Sequence, residues 1–489
     1  MSQRISAPGR GRRQSPLTGL LAVVAALLGL LLVAGGGTLL TPDTATFIPD
    51  RIPVVGRTDT VCTVGEPQGD ASRSLSTVVM RRAPGREGTL TVTPIDDPAP
   101  ELTMSDQGKG EVLTDPATSV LLQGEGVMAT ASAATVLTAA TSGEQQGLMA
   151  AACRTPATSH WLVGVGAATS YRSELVLTNP DDSQAEVDLR YYGRNGLVVV
   201  PGSPGVIVEP HRSTVISLGP LVAVEGPLTV AVRVDEGRVS AVARDLASDE
   251  LEPNGADWHL PSTAPSTRSV IPGVPEGDGP RELFVVNPGT TRAEVTVEVL
   301  GQQGPFEPAD AEKIEVLPES TGSVQLTDGL AGAPGAIRLV SDVPVTGSVV
   351  ARSSREGAAP DLAVQPAAPP MLGTGLAAVA TTDLGDSELI LSNDSDTELT
   401  ASIEVLSYDG VTLRRDDVLL APGSTSTRRL NSPAPSYLVV NAPIGSQVYG
   451  GVVLSQPEGA IAGLTTIGVT SPDVASRAPK VRLDPSVGR

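Results

Sequence analysis

Three histidines and two acidic pairs are the side chains in this sequence whose types and spacing bear on chemistry. His160 and His259 each adjoin a tryptophan, in His160-Trp161 and Trp258-His259. An exposed indole flanked by Asp257 and His259 makes a platform for a sugar ring, so Trp161 and Trp258 are the candidate glycan contacts; the structural alternative is that each Trp anchors a core while its neighbour points outward. The pairs Asp181/Asp182 and Asp416/Asp417 are the candidates for glycoside chemistry, which needs two carboxyl groups roughly 5–9 Å apart in one cleft. Asn393-Asp394-Ser395-Asp396-Thr397-Glu398 looks like part of a calcium loop, but the Gly and the distant Glu that an EF-hand requires are missing from their places, so it reads as an inter-strand turn. His211 sits at a proline-led turn and reads as an exposed turn residue. There is no Gly-x-Ser-x-Gly elbow, His-Glu-x-x-His or phosphate-binding loop. No catalytic, metal-ligating or cofactor-binding residue is therefore assigned, no cofactor is expected, and the chain reads as a non-enzyme.

The elements that carry these residues repeat. Glu174-Leu175-Val176-Leu177-Thr178-Asn179-Pro180 returns as Glu282-Leu283-Phe284-Val285-Val286-Asn287-Pro288 and as Glu388-Leu389-Ile390-Leu391-Ser392-Asn393-Asp394. The steps between the asparagines are 108 and 106 residues, a whole domain length rather than the short period of a solenoid. A Gly follows 17 residues after each Asn (Gly196, Gly304, Gly410), and a Pro 31, 31 and 29 residues after it (Pro210, Pro318, Pro422). Asn179, Pro180, Asn287, Pro288 and Asn393 are thus structural landmarks of three copies of one unit. Runs such as Glu174 to Thr178 and Glu294 to Val299 alternate polar and apolar residues, as a strand with one buried face does. Asn-Pro, Asn-Gly, Asp-Gly and Pro-Gly breaks separate about seven short strands per copy, which predicts tandem antiparallel β-sandwiches of immunoglobulin-like type, with a barrel as the alternative.

Composition limits the classes of function. Aromatics make up 2% of residues, so the cores must be built from Val, Leu, Ile and Ala. The first 16 residues hold Arg4, Arg10, Arg12 and Arg13 and no acid, and an uncharged apolar run follows over 17–40. That run is long enough to cross a hydrocarbon core of roughly 30 Å, and the arginines place the tail in the cytoplasm and the bulk outside. The run exceeds a cleaved signal's apolar core, which favours an uncleaved anchor; cleavage would make the chain secreted. Beyond the tail, 30 basic against 55 acidic groups leave a net charge of −25, which argues against nucleic-acid partners.

In order, the chain reads as a cytoplasmic basic tail (1–16), a transmembrane signal anchor (17–40), a spacer (41–59) and a Cys-bounded β domain (60–155). Sandwich repeats follow over 156–250, 251–356 and 357–470, the last two opening on proline-rich joints, and 471–489 is a flexible tail. The even count of two cysteines in an extracytoplasmic chain predicts a Cys62–Cys153 disulfide. The Cys-bounded segment lacks the Asn-Pro landmark, which leaves open whether it is a fourth copy. Four units in line reach on the order of 100 Å, each having a radius of gyration near 13 Å.

The Leu-x-Leu-x-Asn-Pro pattern with its Pro-led turn resembles bacterial immunoglobulin-like modules. The layout of basic tail, anchor, Cys-bounded segment, the His160-Trp161-Leu162-Val163-Gly164 lead and Asn-Pro copies resembles an uncharacterised actinobacterial family of membrane-anchored proteins, a domain of unknown function. Lysine is nearly absent (Lys109, Lys313, Lys480) against many arginines, which suits a GC-rich genome. The resemblance implies placement in the cell envelope and no established activity. The expected function is a non-enzymatic scaffold or adhesion module, held to the membrane by its N-terminal helix, that contacts an envelope protein or glycan. An enzyme or enzyme accessory acting on envelope polysaccharide is the alternative.

Overall fold

A computed structural model describes residues 24–28, 55–66, 69–81, 87–166, 171–222, 226–249, 252–379, 385–430, 432 and 435–472. The basic tail and nearly all of the expected anchor lie outside these residues; of 17–40 only 24–28 are described, as helix. Among the described residues no helix is long and apolar enough to cross a membrane. Every described strand belongs to one unit, Val54–Ser476.

The alternating runs fold as strands with one buried face. Ala293–Gly301, for example, buries Val295, Val297 and Val299 while Glu294, Thr296 and Glu298 stay in contact with solvent. Strands of this kind build four modules, not three. Each places its first, sixth, third and fourth strands in one antiparallel sheet and its fifth, second, seventh and eighth in another. In the first module these are Arg57–Cys62, Val120–Gly126, Gly88–Pro94 and Leu102–Met104 facing Lys109–Thr114, Ser72–Val79, Ser132–Ala140 and Gly147–Ala152. The second module, Ser159 to His259, and the fourth, Thr374 to Gly468, repeat that order. The third, Ser266 to Pro366, does so too, with one long strand, Gly335–Arg352, running through both sheets in the sixth and seventh places. The Cys-bounded segment is therefore a fourth copy, and the sheets are separate layers rather than a closed barrel.

The landmark asparagines act as latches inside the modules. Each is fully buried and donates Nδ2–H to the carbonyl four residues on, at Ser183, Thr291 and Thr397. The same nitrogen reaches the turn before the fifth strand, at Val208, at Val316 and Leu317, and at Leu420 and Ala421. Oδ1 accepts the N–H of Asp181, Gly289 or Ser395. One side chain thus satisfies two loops whose backbone groups would otherwise be buried without partners. In the first module Val79 holds this place, pairing with Lys109 at the start of the fifth strand as Asn179 pairs with Arg212. The turn residue just before that strand is left-handed in all four copies: Gly108, His211, Glu319 and Gly423.

The modules do not project in line. Proline-rich segments expected to be joints contain the eighth strands, Glu252–His259 and Leu362–Pro366, and much of their length is buried. Apolar clusters join successive modules: Met149, Val176 and Trp258 between first and second, Val163, Tyr192 and Val286 between second and third, Ala363, Ile390 and Val453 between third and fourth. The fourth module then packs back on the first, with Leu376, Tyr437 and Val439 in one core with Leu75 and Val136. The four copies close a ring.

Candidate binding cavity and its buried acidic centre

The eighth strands of all four modules meet where the ring closes, and two aspartates fasten them. Asp257 Oδ1 accepts from Ala150 N at 3.2 Å and Thr465 Oγ1 at 3.1 Å, and Oδ2 from Val364 N at 2.9 Å. Asp361 Oδ2 accepts from Leu148 N at 2.8 Å and Leu464 N at 2.9 Å, and Oδ1 from Ala256 N at 3.2 Å and Leu362 N at 2.9 Å. Burial pushes the Asp361 carboxyl up to about 7 although four N–H donors favour its ionised form. Asp257 is likewise raised, by burial first, with the charge of Asp361 adding to it. The glycine at Gly147 makes room for this arrangement, because a Cβ there would sit 2.4 Å from the Asp361 carboxyl group.

A second buried pair lies in the second module, on the side that faces the third. His259 Nε2 is 2.8 Å from Asp245 Oδ2, and Nδ1 is 3.2 Å from Val163 O. Both ring nitrogens are engaged, so the pair has no nitrogen left to activate a nucleophile. Arg244, also buried, bonds Glu174 at 2.6 Å and lies 5.7 Å from the centre of the Trp258 ring.

Beside the acidic centre lies a cavity of about 500 Å³ touched by all four modules. Its walls are mainly apolar, with Ala150, Trp258, Val364 and Val469 among them, and among the described residues no acidic side chain lines it. Arg154 and His160 are its titratable lining groups besides Cys153, which is in disulfide linkage. His160 Nε2 donates to Val239 O at 2.9 Å, and burial lowers its pKa, which keeps the ring neutral. Burial also lowers the pKa of Arg154, whose Nε has no hydrogen-bond partner.

The residues singled out in the sequence fall elsewhere. Trp258 is 2% exposed and so is no surface platform, which corrects that expectation. Trp161 is half-buried against Tyr192, ring centres 5.8 Å apart. His160 and His259, expected to point outward beside their tryptophans, are both buried. His211 is exposed at its turn and pairs with Asp182 at 2.8 Å. Asp181 is tied to Arg238, which also holds Asp59 of the first module. Asp416 and Asp417 lie on the strand Thr412–Leu420, Asp416 paired with Arg414, so neither acidic pair lines the cavity. Asp394, instead of binding calcium, is buried against Arg268 and Arg338 of the third module at 2.7 and 2.9 Å. Among the described residues no cluster of His, Cys, Asp and Glu is placed to hold a metal. Cys62 and Cys153 form the expected disulfide, with Cα atoms 4.3 Å apart. Sequence reasoning passed over Arg154 and Asp361; the one available signal was an acid within an apolar run, Asp361-Leu362-Ala363-Val364.

Four like sandwiches, ringed around a shared apolar cavity and pinned by buried aspartates, define a multi-module all-β protein. Residues 109–431 match the family of unknown function DUF5719, and the chain belongs to that family. Comparison with curated proteins gave no match. Among solved structures, a glycosyl hydrolase family 2 member from Bacteroides cellulosilyticus aligns at 11% identity over 58% of this chain and 36% of that one, with a TM-score of 0.12. The chain thus spans little more than a third of that protein, and a likeness this slight carries no argument about fold or activity.

Proposed function

We propose that this protein is a non-enzymatic binding scaffold of the cell envelope: immunoglobulin-like sandwiches held outside the membrane by the N-terminal apolar run. The observation that carries the reading is the use made of the buried polar groups. Asp257, Asp361 and Asp394 are engaged in joining modules, both ring nitrogens of His259 are occupied within the second module, and among the described residues no acidic group lines the cavity. The disulfide suits an oxidising compartment. The arginine-flanked apolar run from 17 to 40 supports the anchor.

Fractionation of intact cells, followed by external protease, tests the placement. The chain is expected in the membrane fraction, with its sandwich region digested from outside and its disulfide visible as a mobility shift on reduction. Recovery in the soluble cytoplasmic fraction, or hydrolysis of wall polysaccharide by the purified chain, would end the proposal.

A further inference from the structure

After its eighth strand each module sends the chain back to bridge its own first strand, at Val61–Arg154, Trp161–Ser262, Val270–Ala368 and Leu376–Thr470. Arg154, Ser262, Ala368 and Thr470 are thus equivalent positions, and three of the four are small or neutral. At one position alone the ring places a guanidinium, and there it lines the shared cavity. Its Nε has no hydrogen-bond partner, and among the described residues no ion pair engages it, whereas the buried Arg244 has Glu174 and the buried Arg281 caps several carbonyls. Among the described residues no acidic side chain lines this cavity. Arg154 is half-buried, and a guanidinium drawn partly out of water with no counter-charge among the described residues favours an anionic partner.

We propose that the cavity binds a small amphiphilic anion, an apolar chain bearing one carboxylate or phosphate group, with Arg154 as the head-group residue. A volume of about 500 Å³ lies in the range of sites that enclose a small organic ligand, and mainly apolar walls with few polar groups are what such sites show. The planar fork of arginine donates two parallel N–H bonds to the oxygen pair of a carboxylate or a phosphate alike, so the two head groups share one recognition chemistry. The neutral His160 ring, 5% exposed and bonded to a carbonyl, leaves the arginine as the sole cation among the described lining residues.

The test uses the full chain in phosphatidylcholine nanodiscs, with empty nanodiscs subtracted, titrated calorimetrically with decanoate, decyl phosphate and methyl decanoate. Either anion is expected to bind saturably, and the tighter of the two tells a carboxylate source from a phosphate source. The ester is expected to bind at least tenfold more weakly. Arg154→Met should weaken anion binding at least tenfold and leave the ester unchanged, while Arg154→Lys keeps part of the affinity. Gly468 lines the cavity, and a Cβ there meets nothing within 4 Å, so Gly468→Leu fills the pocket without straining its wall and should abolish binding while thermal melting is preserved. Equal binding of acid and ester, indifference to Arg154→Met in a folded variant, or no saturable anion binding by the wild-type chain would overturn the proposal. Placement in the envelope is read by fractionation, so either idea fails without the other.

Discussion

Asp257 and Asp361 stand 104 residues apart in the chain, in corresponding parts of successive modules, and each is bonded to the eighth strands of all three other modules. This makes the centre of the ring sensitive to pH. An Asp361 carboxyl raised from 3.8 to about 7 takes up protons more readily folded than unfolded, so stability falls as pH rises from about 4 to about 7 and levels off above that. At about 1.4 kcal/mol per pKa unit the whole effect is on the order of 4 kcal/mol. His160 acts oppositely: its lowered pKa means that stability is lost as pH falls below 6.5. Urea unfolding of the wild type and of Asp361→Asn from pH 4.5 to 8 separates the two. The variant is expected to be weaker throughout, because an amide nitrogen accepts no N–H bond, but with the falling component reduced to the share that the likewise raised Asp257 contributes. Parallel stability–pH curves would count against a titrating Asp361.

The latch asparagines give a second prediction. Removing the Asn287 side chain strands the Thr291 and Val316 carbonyls and the Gly289 N–H in a buried site. Each lost buried bond costs about 1 kcal/mol or more, so Asn287→Ala is expected to lower unfolding free energy by roughly 3 kcal/mol. Asn287→Asp should do no better, since a carboxylate cannot donate to the Thr291, Val316 and Leu317 carbonyls. A loss below about 1 kcal/mol in chemical denaturation would show that the loops hold without the latch.

These asparagines also mark how far the sequence could be read. Their spacing is a one-dimensional signal, and the strands around them follow from alternation, so the modules and their turns are legible residue by residue. Ring closure is not, because it depends on which strand edges meet. Pro360, Pro366, Pro369 and Pro370 suggest an extended spacer, yet the strand Leu362–Pro366 lies among them, fixed by the buried Asp361. The Cys-bounded module lacked its landmark because Val79 stands there, and only topology and the left-handed Gly108 reveal the copy. Arg154 looks ordinary in sequence. Its meaning comes from a cavity built by segments hundreds of residues away.

Turn chemistry supplies a third prediction. Glu319 has φ 49°, where Gly108 and Gly423 occupy the matching positions in other modules. A side chain in the left-handed region costs roughly 1–2 kcal/mol, partly offset by the extra unfolded-state freedom of glycine. Glu319→Gly is therefore expected to stabilise the chain by about 0.5–1 kcal/mol, seen as a higher melting temperature. His211→Gly should gain less, because it also gives up the Asp182 contact. A lower melting temperature for Glu319→Gly would mean that its side chain makes up for the backbone cost.

Breaking the disulfide distinguishes a ring from beads on a string. Cys62 and Cys153 close a loop of 91 residues in the first module, worth roughly 4–5 kcal/mol in the chain-entropy view. Both tryptophans lie in the second module, so their fluorescence follows the unfolding of that module's own strands. Were the modules independent, reduction would lower a transition seen by far-ultraviolet dichroism and leave the tryptophan midpoint in place. In the ring, Trp258 packs with Met149 and Ala151 of the first module, and the first module shares its core with the fourth. The Cys62→Ser/Cys153→Ser variant is therefore expected to shift the fluorescence and dichroism midpoints downward together, in one transition. A tryptophan midpoint that stays at its wild-type value would show that the inter-module contacts do not couple the modules.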